Sequence, residues 1–211
     1  QTKINLKDGV HVPIKGSYIL ESIFIDLVGP MSKSSQGCTY IVTVEDCFSR
    51  FVQAYPIPNK EAATVARTIL DGWVSTFGCP YRIHSDRGSE FTAKVFQELM
   101  SFLRIKKTET PSYNPQSNLG ERFHRSLGQL FRTSMERESL EWQNHLSAAV
   151  LAYNTKRHSS TGVTPYYAFF GRECVLPLDL MTKLPQACVN SIPEHVSVLT
   201  ERYRAMYGKI R

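Results

Sequence analysis

No run of apolar residues in the chain approaches the ~18 needed for a membrane-spanning helix, so the sequence holds no candidate membrane helix. The opening Gln1-Thr2-Lys3 has neither an initiator Met nor the apolar stretch of a secretory signal, and reads as the start of a fragment. The five cysteines, Cys38, Cys47, Cys79, Cys174 and Cys188, are odd in number and contain no C-x-x-C pair. That argues against a disulfide framework and a zinc knuckle, and for reduced thiols in cytosol or nucleus. The histidines, His11, His84, His124, His145, His158 and His195, are too scattered for a metal motif. With 42% hydrophobic and 21% charged residues, the composition does not indicate disorder either.

What is present is a chain of 211 residues, long enough to bury a real core, with a net charge of +6. The excess of base favours an anionic partner. It gathers in one region, where Arg104, Lys106, Lys107, Arg122, Arg125, Arg132 and Arg137 face only Glu109, Glu121 and Glu136.

Residues 1–17 are polar and read as a linker. Tyr18 to Val28 predicts a strand ended by Gly29-Pro30, and Tyr40 to Val44 and Arg50 to Pro56 predict two more in an antiparallel meander. Asn59 is placed to cap a helix with Val65, Ile69, Trp73 and Phe77 on one face, stopped by Gly78 and Pro80. A short strand from Tyr81 to Ser85 follows, then a helix from Thr92 to Leu103 and an edge strand from Ile105 to Thr110. Pro111 to Arg132 begins as a Pro/Asn/Ser/Gly loop and ends as an amphipathic helix with Phe123, Leu127, Leu130 and Phe131 on one side. Leu140 to Tyr153 predicts a helix, Thr164 and Pro165 open a short one through Phe170, and Val196, Leu199, Tyr203 and Met206 mark a final, projecting helix.

Three acids stand out against this pattern. Asp26 lies inside a strand, where aspartate is a poor former and burial of its charge is costly. Asp86 follows directly on a strand end and precedes Gly88, the place where open α/β sheets put chemistry. Glu121 heads the amphipathic helix, where with Asn118 it also has the spacing of a capping box. Glu45 and Asp46 fall at a turn between strands, where acids are common. Hard oxygen ligands without a histidine or thiolate companion suit magnesium or manganese, and two such ions support phosphodiester chemistry.

Four ordered motifs spanning roughly residues 18–175 carry a resemblance: Phe24-Ile25-Asp26-Leu27-Val28-Gly29-Pro30; His84-Ser85-Asp86-Arg87-Gly88-Ser89-Glu90-Phe91; Tyr113-Asn114-Pro115-Gln116-Ser117-Asn118 with Glu121-Arg122; and His158 to Pro165 with Phe170-Gly171. The chain resembles the catalytic core of retroviral and gypsy-type LTR-retrotransposon integrases. The resemblance implies an α/β, RNase H-like fold with a five-stranded mixed sheet flanked by helices. It divides the chain into a linker (1–17), the catalytic core (18–175) and a C-terminal extension with a helix (176–211). It also implies a D,D,E triad of Asp26, Asp86 and Glu121, holding two Mg2+ or Mn2+ ions, and decides against Asp46.

From the same resemblance, Tyr113, Gln116, Asn118, Arg122, His124, Arg125 and Arg132 are expected to contact DNA, the basic members forming a stripe along one helix face. His124 stands where many relatives have Asn, and Gly128 where some have a DNA-contacting Lys. The stretch between Asp86 and Glu121 is one residue shorter than in retroviral integrases, a length related retrotransposons tolerate. The expected activity is metal-dependent 3′-end processing and strand transfer that inserts element DNA into a target genome. The expected partners are double-stranded DNA and further copies of the chain, with no membrane, and the expected location is the nucleus, reached through the cytoplasm. The alternatives are a host-domesticated core that binds nucleic acid or protein without catalysis, and a nuclease of the same fold acting on RNA-DNA hybrids.

Overall fold

The computed structural model describes residues 16–109, 123–129, 142–182 and 191–210. Strand β1 (Ser22–Val28) is central, because its alternating Ile23 and Ile25 are fully buried on one face of the sheet while Phe24 and Asp26 face the other. β2 (Tyr40–Asp46) and β3 (Val52–Ile57) add to it in antiparallel order on one side. β4 (Arg82–Ser85) and β5 (Lys106–Glu109) add in parallel on the other, which gives the order β3-β2-β1-β4-β5. The expected five-stranded mixed sheet is therefore present; the sequence-drawn ends at Val28, Tyr40 and Ser85 hold, and the other strand ends differ by one to four residues.

One face of the sheet packs Ile23, Ile25, Val42, Val44 and Ile83 against Val65, Ile69, Trp73, Phe91, Phe96 and Met100. These come from α1 (Ala62–Thr68), the helical turns after it, α3 (Ser89–Thr92) and α4 (Lys94–Phe102). The helix expected from Asn59 starts later. Asn59 instead accepts the Glu61 N–H (3.0 Å) in the turn ahead of it, and α1 passes through a π-helical turn (Ile69–Val74) before α2 (Ser75–Phe77). At Gly72 a Cβ would come within 2.6 Å of the Tyr55 ring, so glycine is what lets this turn rest on β3.

The other face packs Ile41 and Val52 under Phe123 and Leu127 of α5 (123–129) and under Trp142, Leu146 and Val150 of α6 (Trp142–Thr155). Asn154 of α6 pairs with the outer edge of the sheet: its Oδ1 accepts the Val52 N–H (3.0 Å) and its Nδ2 donates to the Val52 carbonyl (2.8 Å). Next, His158 to Pro165 forms a turn with Gly162 at φ +70°, closed by Gly162 N–H to the His158 carbonyl (2.8 Å). Thr164 then caps α7 (Pro165–Phe170) by accepting the Tyr167 N–H (3.0 Å), as its Thr-Pro start predicts.

Helices α8 (Pro177–Met181) and α9 (Ile192–Ile210) follow. α9 does not simply project. Met206 is buried with Phe48 and Ala168, Tyr207 stacks on Phe48 at 4.8 Å between ring centroids, and the Tyr203 hydroxyl donates to the Phe169 carbonyl (2.9 Å). The spacing of Val196, Leu199, Tyr203 and Met206 marks the helix but not the surface that receives it. Among the described residues, no helix is long and apolar enough to cross a membrane.

Candidate active site

Asp26 and Asp86 meet because β1 and β4 are parallel neighbours. Ile23 is paired with Ile83 and Phe24 with His84, and the same register carried two residues further brings Asp26 beside Asp86 at the carboxyl ends of both strands. Asp26 is half-buried and takes the Leu27 N–H on Oδ1 at 2.8 Å. Asp86 is exposed and takes the Gly88 N–H on Oδ1 at 2.9 Å, which curls the loop after β4.

The electrostatics record the proximity. Burial pushes the Asp26 carboxyl up to about 6, the Leu27 N–H opposes this, and the charges of Asp86 and then Glu90 push it further. Glu90 carried no assignment from sequence. Gly88 explains its reach: at φ −54° the backbone does not require glycine, but a Cβ there would lie 2.7 Å from Glu90 Oε1 and 3.1 Å from Asp86 Oδ1. Glycine leaves room for the Glu90 carboxylate to fold back toward Asp86, a consequence of loop shape that no sequence pattern announces.

α5 brings His124 over the opposite side of Asp26. Phe123 and Leu127 bury the helix on the sheet, while Arg125 between them stays exposed, as the amphipathic pattern predicts. The His124 Nδ1 lies 3.7 Å from Asp26 Oδ2, and its Nε2 lies 3.1 Å from Thr43 Oγ1. Burial lowers its pKa, which favours the neutral ring. The helix-face pattern thus finds the position of His124, but not that its ring turns inward to Asp26 and Thr43. Thr43 left no sequence signal, because a threonine in a strand is unremarked.

At the end of β5, Glu109 binds Arg87 (Nε to Oε2, 3.2 Å) and Lys107 (Nζ to Oε1, 3.8 Å), tying the strand to the loop of Asp86. Asp46 lies away from these acids. It pairs with Ile23 across the ladder, is fully buried, and accepts from Leu20 N (2.9 Å), Ser49 N (2.8 Å) and Ser49 Oγ (2.6 Å), a structural turn. Glu121, Tyr113, Gln116, Asn118, Arg122 and Arg132 lie outside the described residues.

Among the described residues, no three of His, Cys, Asp and Glu stand close enough to hold a metal ion. The two aspartates nevertheless fit a hard cation. Both offer carboxylate oxygens, and the charged form of Asp26 is disfavoured by burial and by neighbouring negative charge. A divalent ion relieves both penalties.

The family model described as integrase core domain matches residues 20–115. The Retrovirus-related Pol polyprotein from transposon 412 of Drosophila melanogaster is 29% identical over 161 residues, covering 76% of this chain and 13% of that protein. The chain thus spans a small part of that curated relative. The solved catalytic core domain of BIV integrase is 31% identical, with a TM-score of 0.56, covering 72% of this chain and 94% of that one. The catalytic core domain of HTLV-2 integrase, solved in complex with magnesium in a trimeric form, shares the fold at 18% identity, with a TM-score of 0.58 over 75% of this chain and 99% of that one.

Proposed function

The chain belongs to the integrase core family of retroviruses and gypsy-type retrotransposons, and from that premise we propose that it is the catalytic core of an enzyme that inserts element DNA into a target genome. The reaction is hydrolytic trimming of the element's 3′ ends, followed by attack of each new 3′ hydroxyl on a target phosphodiester. The observation that carries this reading is the meeting of Asp26 and Asp86 at adjacent strand ends, close enough that the charge of one raises the proton affinity of the other.

Asp26 and Asp86 would hold two magnesium or manganese ions, with Glu121 completing the set; the HTLV-2 core was solved with magnesium. When bound, the ions supply Lewis-acid activation and charge stabilisation for phosphodiester chemistry. The chain's own groups arrange the acids. Leu27 N–H fixes Oδ1 of Asp26, and Gly88 N–H fixes Oδ1 of Asp86, so a backbone donor orients each carboxylate. The exposed Arg125 meets DNA phosphates, with Arg122 and Arg132 extending the basic stripe and Tyr113, Gln116 and Asn118 positioning the strand. The working form is an oligomer on double-stranded DNA in the nucleus.

The test is end trimming and strand transfer by the parent protein on element-end oligonucleotides. Activity with Mg2+ that disappears on chelation and in Asp86→Asn is expected. DNA binding without any product under these conditions would contradict the enzymatic reading and leave a binding module.

A further inference from the structure

His124 stands between two strands. Asp26 and Thr43 are directly paired in the β1–β2 ladder, and the imidazole reaches both, Nε2 to Thr43 Oγ1 at 3.1 Å and Nδ1 to Asp26 Oδ2 at 3.7 Å. Packing holds the ring there, since Phe123 and Leu127 on the same helix are each 1% exposed. The other Asp26 oxygen is already engaged by Leu27 N–H.

A neutral imidazole carries one ring proton, so two arrangements exist. In one, Nε2–H donates to Thr43 and the Nδ1 lone pair confronts the Asp26 carboxylate, which is repulsive. In the other, the Thr43 hydroxyl donates to Nε2 and Nδ1–H points at Asp26 Oδ2, which makes both contacts attractive. The competing acceptor for the Thr43 hydroxyl, the Asp26 carbonyl, is more distant at 3.3 Å. At 3.7 Å the Nδ1–Asp26 contact is longer than a hydrogen bond and acts on the carboxylate electrostatically.

Resting on the integrase reading above, we propose that His124 is a positioning residue that holds the Asp26 carboxylate in its metal-binding orientation through Nδ1–H, with Thr43 setting the tautomer of the ring. This role is distinct from the DNA contact that the helix-face pattern suggests. It links α5, which begins just after Glu121 in sequence, to the strand that carries Asp26. Hydrogen bonds to ligating groups are worth roughly 10–100-fold in metal affinity or activity when removed.

Two readouts on the purified chain test it without reference to catalysis. Nitrogen-15 NMR of labelled histidine, with the His124 signals identified by their loss in His124→Asn, is expected to give the Nδ1–H tautomer at pH 7.5. An Nε2–H tautomer overturns the assignment. Calorimetric titration with Mn2+ alone is expected to show binding weakened by about tenfold or more in His124→Phe, with most of it recovered in His124→Asn, which keeps an N–H donor. Thr43→Val leaves helix and ring in place and is expected to weaken Mn2+ binding as well, so the result survives if His124→Phe fails to fold. Wild-type affinity in both variants, with binding lost in Asp26→Asn, would overturn the role of His124 while leaving Asp26 as a ligand. Wild-type affinity in Asp26→Asn would overturn both.

Discussion

Burial and neighbouring negative charge hold the Asp26 carboxylate at a thermodynamic cost. Its folded pKa of about 6 lies above the ordinary 3.8, so the folded chain binds the proton more tightly than the unfolded one. Its contribution to stability is fully present below pH ~4, falls as pH rises toward ~6, and is a penalty above that, on the order of 2–3 kcal/mol. Asp26→Asn removes the charge and keeps an oxygen for Leu27 N–H. The metal-free variant is therefore expected to melt several degrees above wild type at pH 8, with the gap closing by pH 4, as thermal unfolding at the two pH values would read. Mg2+ should raise the wild-type midpoint and leave the variant's unchanged. An equal gap at both pH values would mean that the carboxylate carries no such penalty. Asp26 drew notice in the sequence because an acid inside a strand is a poor strand former and costly to bury. Glu90 and Thr43 did not, because one arrives through the shape of the Gly88 loop and the other through a helix packed from far along the chain.

At the scale of elements, alternation and capping signals located the strands and most helices, since burial on one face leaves a period in the sequence. Their ends moved where local chemistry competed. Asn59 caps a turn rather than α1, and the π-helical turn at Ile69–Val74 has no period of its own and is tolerated because Gly72 clears Tyr55. The polar tie of α6 to the edge strand was equally silent, because one asparagine side chain makes it. Asn154 supplies both partners that the Val52 backbone lacks at the sheet edge, in a buried setting. Asn154→Ala is expected to cost about 2–4 kcal/mol, for two buried backbone groups left without partners. Urea unfolding checks this through a lower midpoint at an unchanged slope. A midpoint within error of wild type would mean that α6 is held by its apolar face alone.

The whole molecule is a sheet whose antiparallel half builds the floor and whose parallel half brings the acids together. β1 belongs to both, so Asp26 sits where the two meet. The basic residues concentrated between Arg104 and Arg137 carry much of the net charge of +6, which suits the anionic partner of the proposed reaction. Glu121, the third acid of the proposed set, has in sequence the spacing of a helix cap and, by the family resemblance, the place of a ligand. Strand transfer by the full-length protein carrying Glu121→Gln, at a folded concentration matched to wild type by thermal melting, separates them most directly. The amide keeps the shape and can still cap, so stability should change by about 1 kcal/mol or less, while activity is expected to vanish because an amide is a far weaker magnesium ligand than a carboxylate. Wild-type activity in that variant would return Glu121 to the role of a cap and contradict the acid set of Asp26, Asp86 and Glu121.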